Sequence, residues 1–185
     1  MDITITEITP TDDQDICHII KSVGAEFGAV GEGFGPSDAE VEQMSQHYGK
    51  AKKSIYLVAK LDGKVMGGAG IAAFNGSQEI CELKKLFLLP ESRGHGLGIK
   101  LSEACIKYAK DMGYQSCYLD TLSNMTSAIR LYEKLGFSHL NEPMPGTEHN
   151  GCDVWMIKEL SLHHWIDAIL TGLFSLIQRI IRLFD

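Results

Sequence analysis

PESRGHGLGIKL, residues 90–101, joins an apolar run to a predicted helix. Gly94, Gly96 and Gly98 lie close together in it, although glycine has a conformational cost unless the chain needs bare backbone. A helix N-terminus presents unpaired N–H groups and a partial positive charge, and glycine lets an anion approach both. Arg93 adds a cation that can donate charge-assisted hydrogen bonds. The stretch therefore predicts a backbone site for a diphosphate.

This stretch differs from two well-known phosphate loops. It lacks the Gly-Lys-Ser/Thr of a P-loop. Its spacing is R-x-x-G-x-G, and no acidic residue is placed to bind a ribose in a Rossmann unit, which disfavours a dinucleotide fingerprint. The simplest alternative is a glycine-rich surface turn with a helix cap.

On both sides of this loop, the apolar pattern predicts strands that mostly precede helices. Strict alternation predicts strands, a period near 3.6 predicts helices, and Asp62-Gly63 marks a hairpin turn. The order implies an α/β or α+β layered domain, with a mixed, largely antiparallel sheet flanked by helices. The predicted elements are a strand at 3–8, a helix at 12–27, a short helix capped by Ser37-Asp38 through Tyr48, a hairpin at 54–74, a strand at 79–90, a helix at 96–112, a strand at 116–121, a helix at 125–137 and a strand at 154–160.

Composition and charge narrow the class of protein. The 185 residues suffice for one well-buried domain, assigned to residues 1–160, plus a helical extension at 161–185. The net charge of −7 argues against a nucleic-acid partner, because phosphate binding needs a basic face. Five cysteines without a CxxC pair or an export signal favour reduced thiols and a cytoplasmic location. His139, His149 and Cys152 lack zinc spacing, so no metal is expected.

Three ordered segments resemble the GNAT superfamily of acetyl-CoA-dependent N-acetyltransferases. RGHGLG (93–98) matches its R/Q-x-x-G-x-G/A signature. CELKKLFLLPESRG (81–94) resembles the strand that leads into the signature, and YLDTLSNMTSAIRLYEKLGF (118–137) resembles the family's next strand and helix. The resemblance covers about residues 3–160 and implies a GNAT-like sheet with acetyl-CoA as the cosubstrate.

The resemblance also implies cofactor-binding residues. Backbone groups of Phe87 and Leu88, where family strands splay apart, would run alongside the pantetheine and hold the acetyl carbonyl. Many members carry asparagine where this chain has Met125, so the adjacent Asn124 either substitutes for it or the contact is absent. His95 has the alternative of an exposed loop side chain. The residues expected to wrap the pyrophosphate are Arg93, Gly94, His95, Gly96, Leu97, Gly98 and Ile99.

Acetyl transfer to an amine needs a base for the amine, a polarised thioester carbonyl and an acid for the leaving thiolate. Tyr132 matches the tyrosine that the family places near the cofactor sulfur, with a core aromatic as the alternative reading. Glu82 occupies the position of a glutamate base in several members, with a paired structural charge as its alternative. Strand alternation predicts that Glu82, Lys84 and Leu86 share one face, and that Leu83, Lys85 and Phe87 share the other.

The expected function is transfer of an acetyl group from acetyl-CoA directly to a primary amine of a small molecule. No covalent acetyl-enzyme is expected, because Cys81 and Cys117 alternate with apolar strand residues and are interpreted as core. Two alternatives stay open: acetylation of a protein or peptide amine, and an acyl-CoA-binding module without catalysis. The loops at 24–37 and 141–151 are expected to select the acceptor, and Asp120 either lines the acceptor cleft or simply ends a strand.

Residues 166–184 carry apolar side chains at helical spacing, which predicts an amphipathic C-terminal helix. Its uncharged run, 168–178, is too short to span a membrane. An exposed stripe of this length would promote aggregation, so something must cover it. A second copy of the chain is favoured, which predicts a homodimer through this helix. Peripheral membrane contact and packing on the same subunit are the alternatives.

Overall fold

The computed structural model describes residues 2–161. Apart from Ser161, the helix predicted at 161–185, with the dimer or membrane contact assigned to it, lies outside the described residues. Within them, no helix is long and apolar enough to cross a membrane. The elements are β1 (Ile3–Glu7), α1 (Asp13–Glu26), α2 (Met44–His47), β2 (Ile55–Leu61), β3 (Lys64–Ala73), β4 (Ile80–Leu88), α3 (Leu97–Asp111), β5 (Ser116–Thr121), α4 (Thr126–Lys134), β6 (Ser138–Leu140) and β7 (Val154–Glu159).

The strands form one seven-stranded sheet in the order β1-β2-β3-β4-β5-β7-β6. Only β4 and β5 run parallel among the neighbouring pairs of this sheet, and α3 connects them, because parallel neighbours need a crossover. The predicted mixed, largely antiparallel sheet flanked by helices is therefore confirmed. β6 was not predicted, since three residues show no readable alternation. The helix expected through Tyr48 is instead a 3-10 helix at Ala39–Gln43 followed by the single turn of α2.

Two apolar clusters, one on each face of the sheet, hold the layers together. α3 and α4 pack on one face, and α1 and α2 pack on the other. Burying one large apolar side chain contributes roughly 1.5–3 kcal/mol, so several such residues anchor each long helix to the strands that carry the site. The apolar residues at helical spacing on α1 are all buried: Ile16, Ile19, Ile20 and Val23.

β4 carries a β-bulge at Lys85, whose φ is +52°. The hydroxyl of buried Tyr56 donates a hydrogen bond to the Lys85 carbonyl at 3.0 Å and fixes the bulge. The extra residue reverses the alternation of side chains. Leu86 joins Leu83 in the cluster beneath α3, whereas Phe87 lies in the cluster beneath α1. The prediction that placed Leu83 and Phe87 on one face, opposite Leu86, is therefore wrong.

The parallel ladder between β4 and β5 ends where the candidate site begins. Its last residue pair is Glu82 with Tyr118. β4 continues to Leu88 and β5 to Thr121, so the two strands part beyond Glu82. A cleft opens between them, as expected for strands that splay apart.

Candidate active site

A cleft of about 520 Å³ lies where β4 and β5 part, bordered by the N-terminus of α3 and by α4. It brings together nine of the ten predicted cofactor-binding residues. The tenth, His95, is exposed and does not line the cleft, which favours its alternative as a loop side chain. The nine lining residues are Phe87, Leu88, Arg93, Gly94, Gly96, Leu97, Gly98, Ile99 and Asn124.

The loop at the mouth of the cleft contains glycines in the left-handed backbone region. Gly94 and Gly96 have φ values of +82° and +74°, which strain any residue with a Cβ. Gly96 is the N-cap residue of α3 and has no side chain to accept hydrogen bonds from the first turn. The N–H groups of that turn are therefore available to an anion. At Gly98, a Cβ would lie 3.2 Å from Leu131 Cδ2, so glycine lets α3 approach α4 closely.

The C-terminal end of α1 is fastened to this cleft. Arg93 donates two hydrogen bonds of 2.7 Å to the Glu26 carboxylate, and its guanidinium lies over the Phe27 ring. Asn124 Nδ2 donates to the Phe27 carbonyl at 2.9 Å. Sequence reasoning missed Glu26 and Phe27, because Arg93 follows Glu26 by 67 positions and no motif links them.

A smaller cavity of about 60 Å³ adjoins the cleft, and both predicted catalytic residues, Glu82 and Tyr132, line it. We call it the reaction cavity. It shares Leu86, Phe87 and Met125 with the cleft, so the two spaces meet at the bulge of β4. The fold thus brings a carboxyl from β4 and a phenol from α4 next to the glycine loop.

Tyr132 is 6% exposed and packs edge-on against Phe137, with 5.9 Å between the ring centroids. Burial raises the pKa of its phenol well above the usual range, and the charge of Asp120 raises it further. The hydroxyl therefore stays protonated and can donate a proton, but it is a poor base. Tyr132 is both a core aromatic and a wall of the reaction cavity.

The carboxyl of Glu82 is poised to titrate near neutral pH. Its side chain is 12% exposed. Burial raises the pKa of Glu82 to about 7; Asp120 adds to the rise, whereas the charges of Lys84 and His149 oppose it. A general base is most effective when its pKa lies near the working pH, so Glu82 is suited to accept a proton there.

His149 is the centre of the polar network around Glu82. Its Nδ1 lies 3.1 Å from Asp120 Oδ1 and 3.6 Å from Glu82 Oε1, and its Nε2 lies 3.1 Å from Asp38 Oδ2. The hydrogen bonds with Asp120 and Asp38 raise the pKa of His149 to about 10, against the opposing effect of burial. The ring is therefore a cation at neutral pH. Sequence reasoning considered His149 only as a zinc ligand, because its partners are far away in the chain.

Asp38 belongs to this network and does not cap the short helix as predicted. It occupies the N-cap position without a side-chain capping hydrogen bond. Its carboxylate instead accepts hydrogen bonds from Lys85 Nζ at 2.7 Å and from His149 Nε2 at 3.1 Å. Burial alone would raise the pKa of Asp38, but these two donors lower it to about 2. Asp38 therefore anchors the loop before α2 to the bulge.

Glu82, Asp120 and His149 each offer one ligand atom, and these atoms lie within 4.8 Å of one another. This donor set resembles a metal site in composition. However, both ring nitrogens of His149 already face carboxylates, and a protonated imidazole has no lone pair for a metal. The arrangement therefore favours an imidazolium between carboxylates.

Comparison with known proteins identifies relatives over most of the chain. The model of the Acetyltransferase (GNAT) family matches residues 26–137. YjgM of Escherichia coli strain K12, described as an uncharacterized N-acetyltransferase, is 38% identical over 155 residues, which cover 83% of this chain and 92% of YjgM. N-acetylaspartate synthetase of Xenopus tropicalis is 32% identical over 117 residues, which cover 60% of this chain and 42% of that protein.

Solved structures share the fold. A GNAT-family acetyltransferase from Staphylococcus aureus Mu50 has a TM-score of 0.75 at 18% identity, covering 86% of this chain and 100% of the other. The yncA acetyltransferase of Salmonella typhimurium, solved with its cofactor acetyl-CoA, has a TM-score of 0.69 at 23% identity, covering 87% and 95% of the two chains.

Proposed function

Because the chain belongs to the GNAT family of acetyltransferases, we propose that it moves an acetyl group from acetyl-CoA directly to a primary amine of a small molecule. The observation that carries this proposal is the pairing of Glu82 and Tyr132 in one cavity beside the glycine loop. A carboxyl that titrates near pH 7 and a phenol that stays protonated are the base and the acid that the reaction needs.

In the proposed reaction, Glu82 accepts a proton from the acceptor ammonium, directly or through water. The free amine attacks the thioester carbonyl, whose oxygen is held by backbone groups at Phe87 and Leu88. The C–N bond forms, the C–S bond breaks, and Tyr132 donates a proton to the departing thiolate. As the amide forms, its nitrogen releases a second proton, which restores the Tyr132 phenol through water. Glu82 gives its proton to solvent, and no redox step is needed.

For the cosubstrate, we propose that the backbone N–H groups at 94–99 hold the pyrophosphate. Gly94 and Gly96 keep Cβ atoms away from those groups, and the first turn of α3 adds its partial positive charge. Arg93 is engaged with Glu26, so in this proposal it shapes the wall of the cleft as well as adding positive charge.

Direct transfer, without a covalent acetyl-cysteine, is supported by the burial of the cysteines near the site. Cys152 lines the reaction cavity, but burial raises the pKa of its thiol far above neutral, and Asp120 raises it further. Cys81 and Cys117 are buried in the sheet, and the pKa of Cys117 is also raised, first by its contact with Cys81. A thiolate nucleophile is therefore disfavoured at Cys152 and Cys117, and Cys81 does not line the reaction cavity.

A small acceptor is supported by the narrowness of the reaction cavity and by the relative whose name is N-acetylaspartate synthetase. The alternatives are a protein or peptide amine, and a non-catalytic acyl-CoA-binding module. We further propose a cytoplasmic location, from the unpaired cysteines, and a homodimer through residues 161–185.

The test is thiol release from acetyl-CoA with a panel of amines that includes polyamines, amino acids, aminoglycosides and peptides. Calorimetric titration with acetyl-CoA runs beside it. Release with at least one small amine supports the proposal, and release with peptides alone supports the protein alternative. Acetyl-CoA binding without release on any amine would contradict catalysis and favour the binding module.

A further inference from the structure

A second polar cavity, of about 230 Å³, adjoins the reaction cavity on the side of Glu82 and Lys84, which line both. We call it the outer cavity. It shares no lining residue with the cofactor cleft. An acceptor whose amine faces Glu82 would therefore extend into it, away from acetyl-CoA. The other residues that line it are Ala73, Phe74, Asn75, Gly76, Gly146 and Glu148.

The walls of the outer cavity are fixed by close contact between two loops. A Cβ on Gly146, whose φ is +97°, would lie 2.4 Å from Asn75 Nδ2. Asn75 itself lies in the left-handed region at φ +45°, in the connection between β3 and β4. The two loops thus pack tightly beside Glu82 and Lys84, which favours a compact polar ligand.

Lys84 supplies a cation with unused hydrogen-bonding capacity. Its side chain is 13% exposed, and its ion-pair partner, Glu40 Oε1, lies 3.6 Å away, which is longer than a hydrogen bond. The same oxygen lies 2.6 Å from Lys85 Nζ, so Lys85 is its main partner. Burial lowers the pKa of Lys84, but the charges of Glu82 and Glu40 outweigh that effect, so the ammonium stays charged. A largely buried ammonium in this state favours an anionic ligand.

The other charges around this cavity are already balanced or screened. Asp38 and Asp120 face His149, and Glu40 faces Lys85. Glu148 is exposed at the rim, where solvent and salt screen its charge. Glu82 also lines this cavity, but in the proposed reaction it faces the amine of the acceptor. Lys84 is therefore the partly buried charge that faces the rest of the acceptor.

From this arrangement we propose that the acceptor is a small amino-carboxylate, whose carboxylate binds Lys84 in the outer cavity while its amine faces Glu82. Residues 82 and 84 lie on one face of β4 ahead of the bulge, with backbones roughly 7 Å apart. A molecule of amino-acid size fits between two such side chains. The inference rests on the proposed function, because it presumes that the amine is acetylated at Glu82.

The experiment compares three matched acceptors: glycine, glycinamide and methylamine, with L-alanine, L-alaninamide and ethylamine as a second series. Thiol release gives kcat/KM for each. The carboxamide amine is less basic than the amino-acid amine, so intrinsic reactivity at neutral pH does not favour the carboxylate. The amide cannot form the charge-assisted hydrogen bond with Lys84, so wild type is expected to prefer the amino acid over its amide by about tenfold or more.

Lys84→Gln is expected to remove most of this preference, whereas Lys84→Arg keeps it because the charge is kept. Lys107→Gln, an exposed lysine on α3, is the matched control and keeps the full preference. Thermal unfolding and acetyl-CoA titration verify that the variants are folded. If Lys84→Gln does not fold, wild type and Lys84→Arg still test the proposal. A preference for the amino acid over its amide in both proteins supports it, and no preference in either protein overturns it.

The outcomes separate the two proposals. Acetylation of amines with no advantage for a carboxylate, or an unchanged preference in folded Lys84→Gln, would overturn the acceptor assignment and leave the proposed function standing. A preference for diamines such as putrescine that Glu148→Gln abolishes would overturn it as well. Absence of thiol release with every amine, the carboxylates included, would instead count against the proposed function itself.

Discussion

Glu82 shows how a few neighbours change the chemistry of one side chain. The ordinary pKa of a glutamate carboxyl is 4.5, so in water the group would be ionised at neutral pH. In the folded protein, burial and the charge of Asp120 raise the pKa of Glu82 to about 7. Lys84 and His149 limit that rise, so the carboxyl still loses its proton under working conditions. Its burial therefore has two consequences. The ionised carboxylate destabilises the folded protein, and the raised pKa suits the group to accept a proton near neutral pH.

We expect activity of the wild type to fall as the pH drops below about 7, because protonated Glu82 cannot accept the amine proton. Glu82→Gln should lose most activity and recover part of it at high pH, where free amine is abundant. The pH profile of kcat/KM measures both effects. A loss that is the same at every pH would point to a structural role.

The same substitution should also affect stability. The folded-state pKa of Glu82 lies above its ordinary value of 4.5, so the folded state favours the neutral form, and stability is lost as pH rises through 4.5 towards 7. With each pKa unit worth about 1.4 kcal/mol, Glu82→Gln is expected to gain up to about 3 kcal/mol at pH 8 relative to pH 4. Denaturant unfolding at the two pH values checks this, and Glu148→Gln, an exposed carboxyl, should show no such gain.

Tyr132→Phe should lower kcat more than it weakens acetyl-CoA binding. Loss of a general acid typically costs about 10²–10⁴-fold in rate, whereas the ring and its packing against Phe137 are retained. Steady-state kinetics and calorimetric titration separate the two effects. Turnover within about twofold of wild type would remove Tyr132 from the mechanism.

At the scale of elements, the site depends on how β4 ends and α3 begins. The bulge at Lys85 turns the end of β4, and Gly96 starts α3 without a capping side chain. The strand thus directs Glu82 and Phe87 to the same side of the sheet, where regular alternation would put them on opposite sides. The glycine loop then continues directly into the first turn of α3, whose N–H groups have no capping side chain.

Gly96→Val should weaken acetyl-CoA binding by at least about tenfold while the fold persists. A branched Cβ at φ +74° strains the loop and crowds the N–H groups of the first turn. Gly113→Val is the control, because Gly113 has a similar φ of +84°, lies after α3 and has no neighbour within 4 Å of a Cβ. Unchanged affinity in folded Gly96→Val would contradict the pyrophosphate assignment.

The sequence allowed prediction of the elements with strong periodicity, such as α1 and the β2–β3 hairpin, because local pattern and burial agree there. It did not reveal the bulge, which depends on pairing with β3 and on the hydroxyl of Tyr56, 29 positions away. Glu82 and Tyr132 were proposed from family resemblance, and both line the reaction cavity. His149 and Lys84 were not singled out, because their surroundings form only when the loop before β7 folds over β4.

At the scale of the whole molecule, His149 joins parts of the chain that are far apart in sequence. Its ring bridges Asp38, from the loop before α2, to Asp120 on β5, and it approaches Glu82 on β4. The loops expected to select the acceptor are thereby fastened to the sheet. One imidazolium thus joins the loop before β7 to Asp38 and to the strands that carry Glu82 and Asp120.

Stability should consequently fall at alkaline pH. The folded-state pKa of His149, about 10, lies above its ordinary 6.5, so its contribution is complete below pH 6.5 and is lost as pH rises through about 10. We expect the Tm of wild type to drop between pH 7 and pH 10.5. This drop should exceed that of His149→Asn by at least roughly 2–4 °C. His139→Asn, an exposed histidine paired with Glu133, is the control. Equal drops in wild type and His149→Asn would contradict the bridging role.

Residues 161–185 follow β7 in the sequence, so we expect their removal to spare the chemistry. A chain truncated after Leu160 is expected to bind acetyl-CoA with wild-type affinity and to sediment as a smaller species than the full chain. Analytical ultracentrifugation checks the size. If the full-length chain is monomeric at micromolar concentration and does not bind vesicles, both the dimer hypothesis and the membrane hypothesis are contradicted.

Because of the bulge, the site depends on the number of residues in β4 as well as on their identities. A codon inserted between Glu82 and Phe87, with the bulge kept, would retain every residue of the site. Glu82 and Phe87 would then point to opposite sides of the sheet. Insertions and deletions are usually tolerated in loops, but one residue added to β4 would change which side chains face the reaction cavity.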